Sequence, residues 1–333
     1  MTCIRWLSLS KICAMLWIQS LLLPTVLLAA LLVLLLSDGA AARQNHAMEV
    51  ALTVDDLPGM GALPAGRSRI EIAQDMIRTL KANGVSAYGF ANGVQLDADP
   101  PQVEVLKDWA NAGFAVGNHT FNHLNLWKMD APAYIANIQR MDQRLAALDL
   151  SDDQLSVRRM FRYPYLAEGD TLAKRNAVRN YLFGNGYRIA EVTVDFYDWA
   201  WNDAYTQCLA RNDSAALELF RKRSADSALS HLNKSVALAR MLFSRDIRHI
   251  MLTHMGAFEA DELGEVLERY RAAGVRFITL NQAMEDPVYD LNPNYAYAAT
   301  DKTFLQQIAA SRKLRDPYRD PIGAPDKIAV ICR

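Results

Sequence analysis

Five short polar segments hold most of the residues in this sequence that could do chemistry. They are Asp55-Asp56, closing Leu52-Thr53-Val54-Asp55-Asp56; His119-Thr120-Phe121-Asn122-His123; Arg162-Tyr163-Pro164-Tyr165; Asp195 with Asp198 and Trp199; and Thr253-His254. Histidines four residues apart lie on the same side of a helical turn, so His119 and His123 can reach one ion. A His-x-x-x-His pair on its own is more often a solvated helix face. With a carboxylate it becomes a two-histidine, one-carboxylate set, which leaves coordination positions open for water and substrate. Asp55-Asp56 also has a plain reading, as a helix cap or a solvated turn. Neighbouring side chains of an extended segment point to opposite sides, so the two carboxylates are not expected to bind one ion equally. One ligand and one base is the natural division. A lone Arg162 would be a surface residue, although it lies beside a Tyr-Pro step where the chain is forced extended. A lone His254 would be a core or loop histidine, Asp198 and Trp199 would be loop residues, and Asp195 reads as a turn or cap residue. His46, His231 and His249 lack partners in sequence and read as surface residues.

These segments sit at regular places in an alternation of short apolar runs and amphipathic stretches. Strands are expected over 49–54, 85–90, 114–117, 159–161, 187–194, 249–252 and 276–280. Helices are expected over 69–82, 102–111, 133–148, 172–183 and 262–273. Gly84, Gly113, Gly186 and Gly274 each follow a helix, where a left-handed cap favours glycine. Repeated strand-helix alternation argues for a parallel sheet covered by helices. About seven strands suit a closed or nearly closed (β/α) barrel better than two domains. In such barrels the reacting groups cluster where strands end, and the five polar segments follow the first, third, fourth, fifth and sixth strands. Residues 203–246 break the rhythm with about two helices and no strand, and read as an insertion over one barrel face. The tail, 287–333, carries Pro287, Pro293, Pro317, Pro321 and Pro325 and reads as an irregular surface extension with one short helix near 304–314.

Taken in this order and at these strand ends, the five segments resemble the motifs of the polysaccharide deacetylase family (carbohydrate esterase family four, the NodB-homology domain). The resemblance runs from about Val50 to about Leu280 and implies an irregular (β/α) barrel, with a catalytic domain at 48–286. It also implies roles. Asp56, His119 and His123 would bind one divalent metal ion, Zn2+ first, with Co2+, Ni2+ or Mn2+ as substitutes. Asp55 would be the general base, with Arg162 paired to it. The Tyr165 N–H would help stabilise the oxyanion, His254 would be the general acid, and Asp198 would orient and charge it. Trp199 and Leu252 would wall the pocket for the acetyl methyl. This set meets the needs of amide hydrolysis: a Lewis acid for the carbonyl, a base for the water, fixed dipoles for the oxyanion and an acid for the departing amine. The implied activity is a hydrolase acting on carbon–nitrogen but not peptide bonds, removing N-acetyl groups from a glycan. Two alternatives stay open: a small non-carbohydrate amide or an O-acyl ester handled by the same centre, and a non-catalytic glycan-binding protein. Leu57 stands where most members carry glycine. A bulky side chain there is expected at the lip of the metal site, narrowing the groove.

The whole chain of 333 residues has a formal net charge of -1, so no long-range field points to nucleic acid as a partner. Its N-terminus reads differently from the rest. Arg5 and Lys11 precede an uncharged run from Ile12 to Leu36, followed by small residues through Ala42. That pattern reads as a signal peptide over 1–42, or as an uncleaved membrane anchor. Either way the catalytic part is expected outside the cytoplasm, periplasmic, secreted or membrane-anchored. Of four cysteines, Cys208 and Cys332 fall in the body of the chain; one disulfide and two separate thiols are both open readings, and without any Cys-x-x-Cys a zinc ribbon is excluded.

Overall fold

A computed structural model of the chain describes residues 48–148, 150–151, 159–299 and 302–316. Seven strands form one parallel sheet: β1 (Met48–Leu57), β2 (Ala87–Ala91), β3 (Ala115–Asn118), β4 (Met160–Phe161), β5 (Arg188–Ile189), β6 (His249–His254) and β7 (Val275–Ile278). Their order is β5-β4-β3-β2-β1-β6, with β7 paired to the first half of β1. Beyond β5 the chain reaches β6 through a bridge between Val194 and Met251, so the sheet curls towards closure. This is the nearly closed barrel of parallel strands expected from the alternation, with the irregularity that the resemblance implied. The fifth strand is much shorter than the 187–194 run, because only Arg188 and Ile189 pair with β4 before the chain turns.

The helices are α1 (Arg69–Ala82), α2 (Val94–Ala98), α3 (Val103–Asn111), α4 (Ala131–Ala146), α5 (Leu172–Gly184), α6 (Asn202–Ala210), α7 (Ser214–Phe243), α8 (Ala257–Ala272), α9 (Leu280–Ala283) and α10 (Phe304–Ser311). Their ends follow local chemistry. Ser68 and Glu71 form a capping box at the start of α1, and Gly113 after α3 takes the left-handed φ of 89° that its position demands. The segment read as an insertion consists of α6 and α7, the latter a single helix of 30 residues.

Period-two alternation along β1 sorts its side chains into two layers. Val50, Leu52 and Val54 face outward and pack with Met76 and Leu80 of α1, Trp109 of α3 and Leu267 of α8. Ala51 faces inward among Phe90, Met160 and Ile250, where Leu238 and Leu242 of α7 and Phe304 and Ile308 of α10 cover it. Thr53 and Asp55 continue that inner row to the C-terminal end of the strand. The tail is therefore more than a surface wrap, since Phe304, Leu305 and Ile308 are buried core. Among the described residues no helix is long and apolar enough to cross a membrane. The apolar run Ile12–Leu36, the 1–42 leader reading, His46, Cys332 and residues 317–333 all lie outside the described residues. Cys208 is buried and disulfide-bonded.

Candidate active site

The strand ends converge on a cavity of about 380 Å³ lined by Asp55, Asp56, Met60, His119, His123, Tyr165, Leu166, Trp199, Leu252 and His254. All five polar segments contribute to it, four through side chains and the Arg162 segment through Tyr165 together with a guanidinium beneath the floor.

The register of β1 against β2 shifts between Val54 and Leu57, and Asp56 adopts a left-handed φ of 62°. Such an irregularity re-aims side chains that a regular strand would send to opposite faces. Both carboxylates therefore turn to the same imidazole: His119 Nε2 lies 3.6 Å from Asp55 Oδ2 and 3.6 Å from Asp56 Oδ1. This departs from the opposed carboxylates expected of an extended segment. The histidines also reach the site by a different route from the expected helical turn. Residues 119–123 form a loop after β3, with left-handed φ at Thr120 (63°) and His123 (50°). The imidazole centroids end up 5.0 Å apart. Leu57 corrects a third expectation, because its side chain is fully buried in the outer core beneath β2 and does not rim the cavity. The residue that does line the mouth is Met60.

Asp56, His119 and His123 each offer one donor atom, and these atoms all lie within 4.8 Å of one another. His123 Nε2 is 3.2 Å from Asp56 Oδ1. Ligands about 2.0–2.2 Å from a tetrahedral ion stand roughly 3.3–3.6 Å apart, so the spacing of each imidazole from Asp56 fits a shared cation. Protonation fits too. His119 Nδ1 lies 2.8 Å from the Arg162 carbonyl, which fixes its N–H there and leaves the Nε2 lone pair facing the site. Burial, reinforced by His123, pushes the His119 pKa down to about 3, so the imidazole is neutral. Burial also lowers His123. Burial alone would raise the Asp56 carboxyl, but His123, His119 and His254 outweigh it and hold it below its ordinary value. Asn92, at the end of β2, donates from Nδ2 to Asp56 Oδ1 at 3.0 Å.

Arg162 is fully buried and stacks over Phe90. Its Nη1 donates to Asp55 Oδ1 (3.0 Å) and Oδ2 (3.2 Å), its Nη2 to Thr53 Oγ1 (3.1 Å), and its Nε to the Ala190 carbonyl (2.6 Å). Desolvation raises the Asp55 pKa to about 6, and Arg162 and His254 oppose a larger rise. Asp198 is fully buried. Its Oδ1 stands 2.8 Å from His254 Nδ1, and its Oδ2 accepts from the His254 N–H and the Thr253 hydroxyl, both at 2.7 Å. Burial would depress the His254 pKa, but the charge and hydrogen bond of Asp198 carry it well above the ordinary value. With Nδ1–H committed to Asp198, Nε2 is the nitrogen left for the cavity.

Tyr165 and Leu166 follow Pro164 in the left-handed region, with φ of 58° and 49°. The Tyr165 ring packs 4.6 Å from the His123 ring. Trp199 and Leu252 face the same cavity. Asp195 accepts from the Tyr197 N–H at 2.8 Å, closing a turn. His249, expected at the surface, is buried at the start of β6 with Nδ1 3.1 Å from Thr193 Oγ1, and burial pushes its pKa down to about 4. His231 is half-buried on α7 against the Ser227 carbonyl.

Residues 42–183, which hold the first three polar segments, match the family model described as polysaccharide deacetylase, and over that span the resemblance carried by the motifs is borne out. A peptidoglycan-N-acetylglucosamine deacetylase of Bacillus cereus is 32% identical over 100 residues, which is 30% of this chain and 32% of the relative, so the match spans about a third of that protein. A crystal structure of a mutant CE4 family pseudoenzyme shares the fold with a TM-score of 0.50 at 15% identity, covering 72% of this chain and 68% of the other. The chitin deacetylase of Colletotrichum lindemuthianum aligns with a TM-score of 0.46 at 20% identity, over 71% of this chain and 86% of that one.

Proposed function

We propose that this chain is a metal-dependent hydrolase that removes N-acetyl groups from a carbohydrate. The observation that carries the reading is a convergence in one cavity. Three donor atoms spaced for one cation stand beside an aspartate held by a buried arginine, and a histidine charged by a buried aspartate stands on the adjacent strand. A divalent cation bound by Asp56, His119 and His123, zinc first and cobalt, nickel or manganese as substitutes, would supply Lewis-acid polarisation of the acetyl carbonyl and acidify water.

The chain's own residues account for the rest. Asp55, anchored on Arg162, accepts the proton of the attacking water, and a pKa of about 6 keeps it ionised at neutral pH while leaving it basic enough to work. The Tyr165 N–H and the buried positive charge of Arg162 favour the developing oxyanion. His254, held protonated by Asp198, gives its Nε2 proton to the departing amine. Trp199, Leu252 and Leu166 offer apolar contact to the acetyl methyl and keep bulk water off the reacting carbon. A binding module has no need for both a base and an acid, which weighs against a non-catalytic role. On the leader-like sequence of residues 1–42 we also place the protein outside the cytoplasm, exported or anchored, which fractionation of cells expressing the full chain would check.

The test joins metal analysis of the purified full chain to an acetate-release panel of chito-oligosaccharides, peptidoglycan and small N-acetyl amides or O-acetyl esters. Release from the glycans with about one metal ion bound per chain is expected. Release from the small compounds alone would move the substrate to the non-carbohydrate class. Tight glycan binding with no release under any divalent metal would overturn the enzymatic reading.

A further inference from the structure

The turn at Tyr165 and Leu166 is built from residues that resist its shape. Two successive non-glycine residues, Tyr165 and Leu166, occupy the left-handed region, which L side chains rarely adopt. The turn holds itself by two bonds, Leu166 N–H to the Tyr163 carbonyl and Ala167 N–H to the Pro164 carbonyl, each 3.1 Å. A further hold comes from the C-terminal segment, outside the 42–183 span that matches the family. Tyr297 is 7% exposed; its hydroxyl donates a short hydrogen bond to the Leu166 carbonyl, and its N–H donates to the Gly169 carbonyl at 3.0 Å.

The same segment reaches the far end of the loop by a second path. Glu168 is buried between Arg175 (3.1 Å) and Arg179 (2.7 Å), and Asn292 Oδ1 accepts from Arg175 Nη1 at 2.7 Å. Past Tyr297 the chain is pinned again: Phe304 N–H donates to the Val192 carbonyl at 2.8 Å, and its ring is buried in the inner core. Asn292 and Tyr297 thus grip the loop at Leu166, at Gly169 and, through Arg175, at Glu168.

We propose that Tyr297 is a positioning residue for the reaction: its hydroxyl, seated on the Leu166 carbonyl, fixes the left-handed pair and so aims the Tyr165 N–H into the cavity. The inference rests on the proposed deacetylase reading, in which that N–H meets the oxyanion. An oxyanion donor matters only as charge develops, so misaiming it lowers kcat and leaves substrate binding nearly unchanged.

Tyr297→Phe in the full chain tests this, since it keeps the ring and the bond to Gly169 and removes only the hydroxyl. With the N-acetylglucosamine tetramer as substrate, kcat is expected to fall about tenfold with KM within about twofold, a part of the roughly 10²–10³ lost when an oxyanion donor is removed outright. Bound metal and thermal midpoint stay close to those of the unsubstituted chain, and hydrogen exchange quickens at the amides of 165–168 while β1 amides are unaffected. Unchanged kcat in an active preparation overturns the proposal. So does unchanged exchange at 165–168, which decides the matter without any turnover. If the unsubstituted chain releases no acetate while exchange at 165–168 still quickens, the deacetylase reading fails and the grip of Tyr297 on the loop survives it.

Discussion

Asp55 and His254 are register partners on adjacent strands, and their surroundings push them towards opposite charges. Desolvation lifts Asp55 and Arg162 holds it back, whereas Asp198 lifts His254 against the desolvation that would lower it. A histidine with a raised pKa is charged below that value and loses its charge as pH rises through it, so in the proposed reaction His254 is expected to set the alkaline limb of the rate profile. Asp198→Asn removes the charge that raises it. The alkaline limb of kcat/KM is expected to move to lower pH, with a fall of about 10²-fold at neutral pH. An unmoved limb would take His254 out of the acid role. Asp55→Asn is the complementary substitution. It leaves the three donor atoms in place, so metal content is expected to match the unsubstituted chain while turnover falls by about 10²–10⁴. His119→Ala should lose the metal and the turnover together, and a full metal complement in that variant would redraw the ligand set.

At the scale of elements, the loop carrying His119 and His123 owes its path to a close approach that only glycine allows. A Cβ at Gly93 would sit 2.3 Å from the Phe121 ring, and the Gly93 and Val94 N–H groups both donate to the Phe121 carbonyl, at 2.9 and 2.8 Å. Gly93→Ala must therefore push Phe121 away and drag both histidines with it. Apparent metal affinity is expected to drop about 10–100-fold, as when ligand-orienting groups are lost, with the fold retained by circular dichroism. The sequence carried the alternation of strands and helices and the polar residues at the strand ends, because period-two and helical patterns record which faces are buried. It did not carry the β1 register shift that brings Asp55 and Asp56 to one side, since a left-handed aspartate has no compositional mark. Asn92 was missed for a similar reason: a single asparagine before Gly93 looks like any turn. Leu57 was placed at the lip by position alone, and the same register shift sends it into the core instead. His249 looked solitary because its partner, Thr193, is 56 residues away in sequence.

For the molecule as a whole, the metal donors tie distant stretches of chain together. Asp56 lies near the end of β1, and the two histidines follow β3, so α1, β2, α2, α3 and β3 lie between the ligands in sequence. The unfolded chain cannot hold these three donors within reach of one another, so an ion bound there favours the folded state by mass action. With free zinc at about 100 times its Kd the stabilisation is about 2.7 kcal/mol. For a chain of 333 residues that corresponds to a rise of roughly 4 °C in unfolding midpoint. Scanning the full chain with zinc and again with a chelator should show this shift. Asp55→Asn should retain it, because its donors are intact, and His119→Ala should abolish it. The three midpoints separate two effects that activity alone confounds, since losing the base and losing the metal both stop turnover but only the second loosens the fold. A chelator that left all three midpoints unchanged would mean that the donors gathered by β1 and β3 hold no ion in solution, and the proposed chemistry would lose its electrophile.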